Sequence, residues 1–168
     1  GAMTTTARIL VVDDDPLICE QLTELYAGAG YEARATSEPD KAIDLLGGEA
    51  FDLGVIDLKM PSIDGITLMQ EMRARAPSID FIMITGHASI KGAVEAMGAS
   101  DYITKPFDRD EILLATQKAL ERRRLLEEID YLRKQLSERY SFANMVSRNA
   151  AMLELFATVE MLAESDTS

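Results

Sequence analysis

One cysteine in 168 residues leaves no internal disulfide to form, and Cys19, set in an apolar helical stretch, reads as a small buried hydrophobe in a reducing compartment. No apolar run reaches the roughly 18 residues that a membrane span needs. No secretory leader opens the sequence, so the expected location is the cytoplasm. Positive charge is scarce. Against 29 Asp+Glu stand 17 Lys+Arg, a formal net charge of −12, and such a chain repels a phosphate backbone. Direct nucleic-acid binding by these residues is therefore not expected. A phosphate loop of the form G-x-x-x-x-G-K-[ST] is also missing, so these residues make no ATPase. Gly1-Ala2-Met3 has the look of a tag remnant, and residues 1–6 stay outside the fold argument.

What the chain does contain is a repeated alternation of short apolar runs and amphipathic stretches. Arg8 to Val12 is an apolar run stopped by Asp13-Asp14-Asp15-Pro16, where Asp15 suits a helix N-cap with Pro16 in the first helical position. A helical stripe of Ile18, Leu22 and Leu25 ends at Gly28-Ala29-Gly30. Tyr31 to Thr36 predicts a weaker, edge-like strand, and Ser37-Glu38-Pro39-Asp40 predicts a capping box before a helix that Gly47-Gly48 ends. A third strand runs from Phe51 into Asp57, followed by a helix from about Ile66 to Arg75. The fourth strand covers Asp80 to Ile84 and stops at Thr85-Gly86; a short helix over Ser89 to Met97 follows. The fifth strand, Tyr102 to Thr104, stops at Lys105-Pro106. Five βα steps predict a doubly wound α/β fold with a five-stranded parallel sheet in the order 2-1-3-4-5.

Parallel strands all direct their carboxyl ends to one edge, which is where ligands bind in open α/β sheets. That edge collects Asp13, Asp14, Asp57, Thr85 and Lys105. Any one of them alone reads as a cap, a turn or a solvated charge; the five together read as a site. Two unit charges about 4 Å apart repel by roughly 4 kcal/mol at an effective dielectric near 20, so three clustered carboxylates call for a cation or a retained proton. Oxygen-only ligands with open positions suit Mg2+. Asp57 is then a carboxylate nucleophile able to form an aspartyl phosphate, with the Lys105 ammonium group and the Thr85 hydroxyl holding phosphoryl oxygens. A cis Lys105-Pro106 bond would aim the lysine inward. A phosphatase with an Asp nucleophile would need an acid two residues after Asp57, and Lys59 stands there; an adaptor that merely dimerises leaves the acidic edge unexplained.

The runs Val11-Val12-Asp13-Asp14-Asp15-Pro16, Asp57-Leu58-Lys59-Met60-Pro61, Thr85-Gly86-His87 and Lys105-Pro106-Phe107 resemble the receiver domain of two-component response regulators over about residues 7–122. The resemblance implies phosphoryl transfer to Asp57 from a sensor histidine kinase. It implies Mg2+ on Asp14 and Asp57 directly, on Asp13 through water and on the backbone carbonyl of Lys59. It implies Thr85 and Tyr102 as a switch pair. His87, the single histidine, reads as a loop residue near that pair.

From Arg109 to about Arg139 nothing breaks a helix. Leu125, Ile129, Leu132 and Leu136 are spaced 4, 3, 4, a short coiled-coil seam, so residues 123–139 are expected to be a dimeric linker. The fourth helix, fifth strand and last helix offer a second dimer face, whose poorly anchored helix at Ser89 to Met97 is the expected moving element. Composition changes after Ser137. Residues 140–168, with Asn149-Ala150-Ala151-Met152, resemble the start of the AAA+ module of sigma-54-dependent activators of the NtrC type, cut before its phosphate loop. DNA and sigma-54 polymerase would then be reached only through other domains.

Overall fold

A computed structural model describes residues 6–86 and 98–166, with side chains as far as Leu162. The elements are β1 (Arg8–Val12), α1 (Pro16–Gly28), β2 (Glu32–Thr36), α2 (Pro39–Gly48), β3 (Leu53–Asp57), α3 (Gly65–Arg75), β4 (Asp80–Thr85), β5 (Asp101–Thr104) and α4 (Arg109–Asp166). All four strand pairings are parallel, in the order β2-β1-β3-β4-β5. The sheet order therefore agrees with the expectation. The helix expected over Ser89 to Met97, and His87, lie outside the described residues.

Alternation along the strands divides the core into two layers, because successive side chains leave a strand on opposite faces. Leu10, Val12, Ile56, Phe81 and Met83 face Ala42 of α2 and Leu68, Met69 and Met72 of α3. Ile9, Val11, Leu53, Val55, Ile82, Ile84 and Ile103 face Leu22 and Tyr26 of α1 and Ile112, Ala115 and Ala119 of α4. The central strand β3 is buried at every position, as its unbroken apolar run requires. Within the second layer the Tyr26 hydroxyl lies 2.8 Å from Thr116 Oγ1, so the one polar tip that α1 sends into the core finds a partner on α4.

Asp15 caps α1 as expected, its Oδ1 accepting from Leu17 N at 2.9 Å with Pro16 in the first turn. The capping box expected at Ser37 is not formed. Glu38 is the N-cap of α2 and makes no side-chain cap bond; Thr36 Oγ1 accepts from Glu38 N at 3.1 Å instead. The Thr36 hydroxyl, at the end of β2, makes a local turn that takes the place of the box. Gly47 and Gly48 are the last helical residues of α2 rather than its stop.

The chain divides into two compact units, one as far as Arg124 and one from Leu125. Residues 109–124 of α4 belong to the first. The second is helical to Asp166, with no break at the change of composition after Ser137, since no Gly or Pro occurs there to make one. Its apolar side chains are uncovered: Leu125 and Ile129 are each 44% exposed, Leu132 49% and Leu136 67%. No helix among the described residues is long and apolar enough to cross a membrane.

Candidate functional site

The carboxyl ends of β1, β3, β4 and β5 meet at one edge. Asp13 follows β1 directly and is fully buried, its backbone tied to β2 by Asp13 N donating to Thr36 O at 3.3 Å. Its Oδ1 accepts from Asp15 N at 2.9 Å, which orients the carboxylate and starts the turn into α1. The Cys19 thiol donates to the Asp13 carbonyl at 3.2 Å from behind. Cys19 is buried, as its apolar surroundings predict, and burial pushes its thiol up from the ordinary range. Asp14 is exposed, and its carboxyl hydrogen-bonds with that of Asp57.

Asp57 is the last residue of β3 and only 5% exposed. Its Oδ1 accepts from Lys59 N at 3.3 Å. The loop after it returns at once: Gly65 N donates to Leu58 O at 2.9 Å, and a Cβ on Gly65 would lie 2.4 Å from Asp57 O and 2.7 Å from Leu58 Cα. Gly65 reads in the sequence as a turn signal; in the structure it is what lets α3 begin against the backbone of Asp57. Close approach of this kind leaves no mark in a single sequence beyond the glycine itself.

Lys105 follows β5, with a cis bond to Pro106 and its amide donating to Thr85 O at 2.7 Å. Its Nζ is 2.8 Å from Asp13 Oδ2 and 3.5 Å from Asp57 Oδ2. Carboxylate oxygens of Asp13, Asp14 and Asp57 lie within 4.8 Å of one another. Three acids and one ammonium group therefore meet at one point of the sheet edge. Thr85 is buried at the end of β4, beside Lys105. Tyr102 is half-buried on β5 against the α3-side layer. Lys59 is exposed and contributes its amide to Asp57.

The electrostatics follow from this crowding. Burial first, then a hydrogen bond with the Asp14 carboxyl and the charge of Asp13, push the Asp57 carboxyl up to about 7, while Lys105 and the Lys59 amide pull it down. Burial pulls Lys105 down, but its hydrogen bond and ion pair with Asp13, helped by Asp57, outweigh that and hold it above the ordinary lysine range. Asp13 Oδ2 is fully buried and is reached by Lys105 Nζ at 2.8 Å. A buried carboxylate oxygen in that condition, beside two more carboxylates, fits a hard divalent cation with oxygen ligands.

Comparison with known proteins agrees with this geometry. Residues 9–117 match the model of the response regulator receiver domain, and the chain belongs to that family. Regulatory protein AtoC of Escherichia coli K12 is 33% identical over 168 residues, covering 99% of this chain and 36% of AtoC. NtrX from Brucella abortus, solved in complex with ATP, superposes with a TM-score of 0.70 at 33% identity over 75% of this chain and 29% of NtrX. The response regulator TrrA of Thermotoga maritima, solved in complex with Mg2+ and BeF, gives a TM-score of 0.63 at 30% identity over 68% of this chain and all of TrrA. The chain spans a little over a third of the length of the curated relatives it matches first, 36%, 38% and 35% for three of them.

Proposed function

We propose that the chain is a phosphorylation-dependent switch in which Asp57 accepts a phosphoryl group from a phosphohistidine of a sensor kinase. One observation carries the reading: the Asp13, Asp14 and Asp57 oxygens within 4.8 Å of one another, with Lys105 Nζ 2.8 Å from the first and 3.5 Å from the last. A carboxylate oxygen of Asp57 forms the new P–O bond as the P–N bond breaks, and the departing imidazole takes up a proton. Lys105 swings from its pairing with Asp13 and Asp57 to a phosphoryl oxygen, and the Thr85 hydroxyl donates to another. The Lys59 amide orients the attacking carboxylate. Asp13, Asp14, Asp57 and the Lys59 carbonyl would hold Mg2+, which neutralises charge on the transferring group.

The added charge, about −1.5 to −2, is then read by Thr85 and Tyr102 and passed to a homodimer joined through Leu125, Ile129, Leu132 and Leu136. The exposure of that seam in a single chain supports a partner helix there. A second dimer face through β5 and the neighbouring helices is part of the same reading. The domain plan is a receiver over 7–122, a linker over 123–139 and the start of an AAA+ domain over 140–168. In this reading the whole protein is a cytoplasmic regulator that controls a downstream sigma-54-dependent ATPase, which rests on the resemblance of residues 140–168 to the start of such a module.

Incubation with acetyl phosphate and Mg2+ should add one phosphate to the intact mass, and Asp57→Ala should abolish the addition. Phosphate on the Asp57→Ala protein would overturn the assignment. Sedimentation should give a dimer that Ile129→Asp dissociates; a parent chain that stays monomeric at every concentration would remove the linker claim.

A further inference from the structure

The strand that ends in Asp57 begins beside a second carboxylate with different partners. Asp52 precedes Leu53; its Oδ2 accepts from Arg8 N at 2.8 Å and its Oδ1 is paired with Arg123 Nη1. Arg123 Nη2 also donates to Ser78 Oγ at 3.4 Å. Arg123 is the middle of three consecutive arginines, of which Arg122 and Arg124 are exposed. It falls in phase with Ile112, Ala115, Thr116 and Ala119, the buried stripe by which α4 packs on the sheet. It is also the last side chain of that stripe before the first compact unit ends at Arg124.

We propose that Arg123 is a positioning residue, and that its pairing with Asp52 carries the state of Asp57 to the point where α4 leaves the receiver domain. The proposal rests on the phosphoacceptor reading above. The connection is short and stiff. Five residues at about 3.3 Å each separate the two carboxylates along one strand. That strand is buried throughout and held in parallel ladders by β1 and β4, so its two ends shift together. In the proposal this pairing is the contact that changes between the two states of Asp57. The Asp52 side chain is 37% exposed and the Arg123 side chain 18%, so the pair lies at the edge of the core, where water can reach the carboxylate. Beside it lies a cavity of about 370 Å3, lined by Leu46, Phe51, Ala76, Ser78 and Arg123 among others, into which the guanidinium can move. The apolar contacts of Ile112, Ala115 and Ala119 hold α4 on the sheet in either arrangement; Arg123 ties its end to Asp52, the residue before β3.

Amide hydrogen exchange on the whole chain, with and without Mg2+ and beryllofluoride, tests this. In the parent, ligand should change exchange of the amides of residues 119–124 by about fivefold or more. In Arg123→Gln and Arg123→Ala the change should fall below about twofold, while half-saturation by beryllofluoride stays within about threefold of the parent. Arg123→Lys, which keeps the charge, should retain the response; a purely structural arginine would show no such dependence on ligand. The proposal is overturned if the Gln variant responds like the parent. It is equally overturned if the Lys variant fails as the Gln variant does, or if ligand binds the parent without altering these amides. A parent chain that binds no beryllofluoride at all would refute the phosphoacceptor reading and this inference with it.

Discussion

The crowding around Asp57 has a thermodynamic consequence that can be measured without any phosphate donor. Its carboxyl is held at about 7 in the folded chain against 3.8 for a free aspartate, with burial the largest cause and the neighbouring acids next. The folded state thus keeps a proton that the unfolded state has released across that interval. Stability falls as pH rises from about 4 to about 7 and is level above it. Each pH unit of the interval is worth about 1.4 kcal/mol, which sets a ceiling of about 4 kcal/mol. Side chains and water around Asp57 rearrange when it ionises, so about 1–3 kcal/mol is the expected cost at pH 8. Asp57→Asn removes the ionising group while keeping its shape. In chelator at pH 8 the variant should therefore be more stable than the parent by about 1–3 kcal/mol, or about 5–10 °C in melting temperature for a unit of this size. At pH 4.5, where the folded parent is mostly protonated, the gain should shrink to less than about 1 kcal/mol. Saturating Mg2+ at pH 8 should narrow the gap as well, because it stabilises the parent by mass action at a site the variant has weakened. Calorimetry of parent and variant at the two pH values decides it. An Asp57→Asn protein no more stable than the parent at pH 8, or one whose gain is the same at both pH values, would refute the account of the cluster.

Three further outcomes follow from particular contacts. Lys105→Ala leaves the Asp13 and Asp57 carboxylates without their cation, and should lower stability at pH 8 by about 1–3 kcal/mol in chelator, with a smaller loss at pH 4.5; paired melts read the difference. Gly65→Ala places a Cβ 2.4 Å from Asp57 O. It should destabilise the chain by about 2 kcal/mol or more in denaturant melts and slow phosphorylation of Asp57, and an unchanged midpoint would show that the loop yields freely. Tyr26→Phe strips the partner from the buried Thr116 hydroxyl and should cost about 1–2 kcal/mol, which adding Thr116→Val should partly restore in a double-mutant cycle.

The fold was legible because two simple signals agree. Apolar runs at Arg8–Val12, Phe51–Asp57 and Asp80–Ile84 are each cut by an acid, a proline or a glycine, and the stretches between them carry helical spacing. The parallel direction of the strands then fixes which edge receives Asp13, Asp57, Thr85 and Lys105 without any knowledge of their contacts. What spacing does not give is distance. That Lys105 Nζ lies nearer to Asp13 than to Asp57, and that Gly65 touches the Asp57 backbone, both depend on how the loops close. The capping box at Ser37 failed for a related reason: two local hydroxyls compete for the same turn, and Thr36 takes it.

Arg123 carries a signal in its helical phase that composition hides. Three arginines in a row look alike in composition, yet the residues of α4 that reach the core are Ile112, Ala115, Thr116 and Ala119, and only position 123 continues their period. Phase alone therefore singles out the arginine that turns inward. The same reasoning marks where the helix changes role. From Leu125 the apolar spacing restarts in the 4-3-4 pattern of a seam, on side chains that stand in water in the single chain. The last inward residue of one pattern and the first of the next are thus two positions apart. Residue 123 thus closes the inward stripe of the receiver unit, and the exposed apolar spacing begins at once after it.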